Sequence, residues 1–139
     1  MAEVERLADQ LVLLDKDHVV AVGPLTELQA DPNSKLATSQ EAAVSLRGVI
    51  EGFEERFGLS RVSVPGGHIL VPQTSGAVGQ AFRISILATD VSLARDSPSR
   101  SSTLNVLPAR IVAINTPHPH EILASIALGK NGSGARLLA

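Results

Sequence analysis

The sequence predicts a mainly β protein, a small antiparallel barrel or sandwich behind a short helix–strand–strand–helix block. Three observations carry this. Between residues 44 and 94 apolar and polar positions alternate: Val62 and Val64 against Arg61 and Ser63, and Phe82, Ile84 and Ile86 against Arg83 and Ser85. A period of two marks half-buried strands. Pro65-Gly66-Gly67 is turn chemistry between two of them. The pattern then begins again: residues 46–50 (LRGVI) parallel 108–112 (PARIV), and 59–64 (LSRVSV) parallel 123–128 (LASIAL). Residues 68–71 (HILV) find a weaker echo in 135–138 (ARLL), and internal repetition outranks local detail in assigning a fold. The second copy stops at Ala139 before any counterpart of residues 81–94, and is expected to be cut short.

Taken in order, residues 3–9 place Val4, Leu7 and Ala8 at helical spacing and predict a short helix. Leu11-Val12-Leu13-Leu14 is an unbroken apolar run, expected as a strand buried on both faces. Asp15-Lys16-Asp17 turns the chain, and His18-Val19-Val20-Ala21-Val22 returns as a second strand that Gly23 breaks. Pro24 suits the first turn of a helix, where its missing N–H costs nothing. Leu25 and Leu28 give that helix its apolar face, and Asp31-Pro32-Asn33 ends it. So short a block cannot bury its own faces, and it reads as the edge of something larger. The expected organisation is this block at 1–33, a linker at 34–43, a first β module at 44–96, a linker at 97–103 and a second module from 104 to 139.

Composition excludes several classes. The 139 residues include three Phe and no Trp or Tyr, so the core is built from Val, Leu, Ile and Ala. Twelve Lys and Arg against fourteen Asp and Glu, without a basic run, leave no nucleic-acid footprint, and platforms for stacking bases are missing too. The absence of cysteine removes disulfides, thiolate metal sites and thiol catalysis, and suits a cytosolic setting. Apolar runs of only a few residues predict no membrane insertion.

Two regions resemble known families. Glu5-Arg6-Leu7-Ala8-Asp9, Leu11-Val12-Leu13-Leu14-Asp15, Val19-Val20-Ala21-Val22-Gly23-Pro24 and Glu27-Leu28 are similar to the last stretch of an ABC-transporter ATPase domain. There a helix ending in L-A-D leads to two strands and then G-P-x-x-E-L. Lys16-Asp17-His18 departs from the usual turn. Residues 55–64 (ERFGLSRVSV), 90–94 (DVSLA) and 105–111 (NVLPARI) resemble the C-terminal regulatory region of the ATP-binding subunit of molybdate importers. The last phrase opens a Mop-type, also called TOBE, module. The resemblance implies an OB-like barrel and a cytoplasmic location at the inner face of the plasma membrane. It also implies a homodimer, a membrane permease as partner, and molybdate or tungstate as ligand. ATP and magnesium would belong to an upstream domain, because no G-x-x-x-x-G-K-[ST] loop occurs here. The chain reads as a non-enzymatic fragment of an ATPase subunit.

An oxyanion is best held by neutral donors in a concavity. Ser101-Ser102-Thr103-Leu104-Asn105 supplies four polar side chains before a strand. The resemblance implies that Ser102 and Asn105, with Thr103, contact the anion, although Leu104 stands where the family often has Arg. Its second contributing segment is Lys-Ala-Ser, and Leu87-Ala88-Thr89 occupies that place, so Thr89 is a donor but the lysine is absent. The alternative is that 96–102 is a flexible Ser/Pro/Arg linker, the preferred reading for 97–100, while for Ser102, Thr103 and Asn105 the two readings stand equal. His118-Pro119-His120 reads as an exposed turn held by Pro117 and Pro119, since a metal needs three or four convergent ligands. His18 and His68 read as structural, and Glu51, Glu54 and Glu55 as a solvated strand end. The leading functional expectation is a regulatory and dimerisation region of a molybdate importer's ATP-binding subunit. The alternatives are a purely structural interaction module, or the same region of an importer of sulfate, phosphate, iron or a sugar. A stand-alone enzyme ranks last, because no nucleophile–base pair is visible.

Overall fold

The computed structural model describes residues 8–15, 18–34, 36–37 and 42–139. The predicted helix at 3–9 falls mostly outside the described residues, as do Lys16 and Asp17 of the predicted turn. The first elements are an antiparallel hairpin of β1 (Gln10–Asp15) and β2 (His18–Pro24) and a one-and-a-half-turn helix α1 (Leu25–Ala30). Two expectations are corrected here. Gly23 does not break β2 but pairs with Leu11, since glycine keeps both backbone hydrogen-bonding groups. The strand ends at Pro24, whose ring removes the donor and opens α1. Nor is the β1 run buried on both faces: Val12 is 52% exposed, as one side of a two-stranded hairpin allows. On α1 the buried positions are Leu25, Gln29 and Ala30, with Leu28 only half-buried. Gln29 is buried at no loss because its Oε1 accepts the Ser45 N–H at 3.0 Å.

The first β module is a four-stranded antiparallel sheet, β3 (Ala43–Glu54), β4 (Leu59–Val64), β5 (Gly67–Pro72) and β6 (Ala81–Leu87), in the order β5-β4-β3-β6. The alternation is realised: Val62, Val64 and Ile84 are buried, and Arg61 and Ser85 are exposed. Pro65 and Gly66 form the two-residue turn between β4 and β5. Gly66 has φ +99°, the left-handed value that a second turn position following proline requires. The expected barrel does not close. The β5 and β6 strands remain the two edges of an open sheet, because no backbone ladder joins them.

The second sheet, β7 (Ala109–His118), β8 (Glu121–Leu128) and β9 (Arg136–Leu138), has the order β7-β8-β9 and is also antiparallel. It repeats the β3-β4-β5 meander with the same ladder. Ile50 pairs with Val62 as Ile111 pairs with Ile126, and Glu54 pairs with Leu59 as Asn115 pairs with Leu123. Both ladders slip by one residue between these pairs, at Glu51 and at Val112. The β4–β8 correspondence read from sequence holds. The other two correspondences move by one residue, because pairing sets Ile50 against Ile111 and Ile69 against Leu137. The equivalent turns meet: the Ala135 N–H donates to Pro65 O at 2.6 Å, and a Cβ on Gly66 would lie 2.7 Å from Leu128 Cβ. One apolar cluster runs from Ala30 through Val44, Ile50 and Val62 to Leu123, Ile126 and Leu138, so both sheets and α1 share a core.

Candidate functional site

Residues 91–108 carry no helix or strand and cross from β6 to β7. Within them Ser101 Oγ–H donates to Thr103 Oγ1 at 2.7 Å and the Thr103 N–H donates back to Ser101 Oγ at 3.0 Å, a local turn that fixes both hydroxyls. Ser101, Ser102, Thr103 and Leu104 are exposed. Asn105 is half-buried and already employed: its Oδ1 accepts the Leu70 N–H at 2.8 Å and its Nδ2 donates to Leu70 O at 2.9 Å. The amide therefore imitates one rung of a β ladder on the outer edge of β5. Such a pairing shields an edge that would otherwise seek another strand.

Thr89 lies in the single 3₁₀ turn (Ala88–Asp90) that follows β6, where the Ala88 N–H donates to Ala42 O at 2.9 Å. Thr89 is exposed there. Because β5 and β6 are opposite edges of the first sheet, the structure places Asn105 and Thr89 at opposite edges as well. It thus groups Ser102, Thr103 and Asn105, but attaches Thr89 to a different strand.

Beside Asn105 is a shallow cleft of about 280 Å³, lined by Glu54, Arg61, His68, Leu70, Leu104 and Val106 as well as Asn105 itself. Two polar contacts lie in or beside it. Arg61 Nη2 meets Glu54 Oε1, and His68 Nδ1 lies 2.9 Å from Glu51 Oε2. All four side chains are about half exposed, so each pair contributes little stability. Their spacing along β3, β4 and β5 follows from alternation, which sends Arg61 and Glu54 to the face opposite Val62 and Val64. The sequence presents His68 as structural and Glu51 as part of a solvated strand end, with nothing to join them. Their approach depends on the one-residue slip at Glu51, which alternation alone does not encode. The cleft offers hydrogen-bond donors and apolar walls for holding a small polar group. His118 and His120 sit at the β7–β8 hairpin tip, both exposed, with His118 paired to Glu121 in the ladder.

The chain matches no protein-family model. Over 139 residues it is 49% identical to the molybdenum import ATP-binding protein of Rhodopseudomonas palustris strain HaA2. Over the same length it is 43% identical to the molybdenum import ATP-binding protein of Rhodobacter capsulatus. Over 109 residues, 78% of the chain, it is 46% identical to molybdenum import ATP-binding protein 2 of Azotobacter vinelandii. The matches take in 37%, 38% and 30% of those proteins, so the chain spans about a third of the length of the curated relatives it matches.

Proposed function

We propose that this chain, which is homologous over its whole length to a C-terminal part of molybdenum import ATP-binding proteins, works as the regulatory and self-association region of such a subunit. The observation that carries the reading is that full-length match, at 43% to 52% identity. In it, an upstream domain binds ATP and magnesium and works with a membrane permease on the cytoplasmic side. The β modules sense molybdate or tungstate and restrain further uptake. Such restraint is a coupling free energy between an anion site and the ATPase, not a chemical step performed here. Ser102 and Thr103 supply exposed hydroxyls, Asn105 positions their segment on β5, and Thr89 contributes from β6 once modules or copies come together.

Self-association is supported by β7. It is the edge of its sheet, and Ile111, Val112 and Ile114 on it are exposed. Its equivalent β3 has β6 on the corresponding side. An apolar strand edge is a template for a further strand. A second reading, a purely structural dimerisation module, is favoured by one observation: both polar ends of the Asn105 amide are committed to Leu70.

Thermal melting with molybdate, and with sulfate as control, separates the two. A ligand at a hundred times its dissociation constant stabilises by about 2.7 kcal/mol, a shift of several degrees. The regulatory reading expects a molybdate-selective shift that Ser102→Ala removes. A molybdate response no larger than that of sulfate would leave only the structural module. Sedimentation tests the self-association: Ile111→Lys with Ile114→Lys should drive the chain toward monomer, and an unchanged mass would remove β7 from the interface.

A further inference from the structure

A groove of about 960 Å³ lies between α1, the first sheet and the second sheet. In its lining Arg47 and Arg83 stand directly opposite one another in the β3–β6 ladder. Like charges so placed repel. One carboxylate answers both: Asp9 Oδ1 accepts from Arg47 Nη2 and, at 3.4 Å, from Arg83 Nη2. Two guanidiniums thus share a single acid that is itself mostly exposed. Arg83 Nη1 is withdrawn from solvent without an acceptor among the described residues. Ser45 Oγ and Ser125 Oγ are unpaired in the same way, and both serines belong to the lining of this groove. Four buried side-chain atoms are unpaired among the described residues, and three of them fall here. Further along, the lining carries Glu27, Asp31 and Arg136, so the positive excess is local to the two arginines.

Arginine only donates, and a buried charged donor without an acceptor is costly. An acceptor-rich anion removes that cost, whereas a cation or an apolar group does not. We propose that the groove is a binding site for a small tetrahedral oxyanion of the phosphate, sulfate or molybdate class, held by Arg83 and Arg47. The anion takes over the long contact from Asp9 to Arg83. Ser45 and Ser125, in the lining beside them, rotate their hydroxyls toward the added charge. Because the walls come from Asp9 and α1, from the first sheet and from the second, a bound anion ties three parts of the chain together. The site is separate from the Ser102–Asn105 segment and does not rest on the transport reading. It asks for an oxyanion, not for molybdate in particular.

The test is titration of the 139-residue chain with sulfate, phosphate and molybdate at constant ionic strength, with chloride as control, read by calorimetry and by the thermal midpoint. All three oxyanions should bind and raise the midpoint above the chloride value. Arg83→Gln and Arg47→Gln should each abolish the effect, and Ser102→Ala should leave it. Asp9→Asn, which frees the arginines from their competitor, should tighten binding about two- to fivefold, the worth of an exposed ion pair. If Arg83→Gln fails to fold, Arg47→Gln decides, since its side chain is mostly exposed. Binding that survives Arg47→Gln, an Asp9→Asn variant that binds no tighter, or a shift that chloride reproduces would each overturn the site. A molybdate-only shift removed by Ser102→Ala but untouched by Arg47→Gln would uphold the proposed function and reject this groove.

Discussion

Asn105 holds the irregular segment that precedes β7 against the outer edge of β5. Its residue type and position before a strand were legible, and both suit anion binding as well as backbone pairing. The partner it takes is Leu70, 35 positions away, whose N–H and C=O it engages at 2.8 and 2.9 Å. No local pattern encodes that partner, because an amide side chain is chemically a copy of the backbone and pairs wherever tertiary structure offers a free edge. Asn105→Ala should therefore cost about 1–2 kcal/mol in urea unfolding, the worth of two partly solvated hydrogen bonds. It should also speed hydrogen exchange at the Leu70 amide. Unchanged exchange there would mean that the clasp does not form in solution. The Arg47–Asp9–Arg83 cluster was invisible for a related reason: its members are 38 and 74 positions apart, and only the strand register brings them together.

At the scale of elements, alternation placed β4 and β6 well, because the period of each survives in the sequence. The strand β8 runs counter to this, with every residue from Leu123 to Leu128 buried, including Ser125, so alternation in its letters carries no meaning for burial. Repetition located it where periodicity did not. The two meanders also differ in what covers them. Ile50 is fully buried, whereas its ladder equivalent Ile111 is 54% exposed. The same substitution should thus have very different costs: Ile50→Ala about 2–5 kcal/mol by denaturant unfolding, from the cavity it leaves, and Ile111→Ala within about 0.5 kcal/mol. Equal costs would show that β7 is covered in solution, by a second copy in the reading given above. The turn between β4 and β5 is a further sensitive point. Gly66→Ala adds a Cβ 2.7 Å from Leu128 Cβ at a φ of +99°, so it combines backbone strain with a clash against the second sheet. It should lower the thermal midpoint even though the residue is exposed.

For the whole molecule, the sequence divides more sharply than the structure does. Linkers at 34–43 and 97–103 suggest separable modules, yet the apolar cluster passes from α1 through β3 and β4 into β8 and β9. The polar contacts cross the same boundaries: Gln29 to Ser45, Asn115 Nδ2 to Pro32 O at 2.8 Å, and Ala135 N–H to Pro65 O. The linker at 97–103 is legible in composition because it lacks apolar residues, whereas 34–43 carries Ala37 and Ala42, which join the cluster. A shared core is not legible in this way, because each module's apolar residues look the same whether they face their own sheet or a neighbour's. Elements that share buried area lose it together, so unfolding either β module exposes apolar surface of the other. The chain should therefore melt in one cooperative transition, with calorimetric and van't Hoff enthalpies that agree. Val62→Ala in the first module and Ile126→Ala in the second should lower the same midpoint, since both sit in the common cluster. Two resolved transitions, each answering to only one of these substitutions, would show that the modules fold apart. Any coupling between an anion and an upstream ATPase would then have to pass through the linkers rather than through packing.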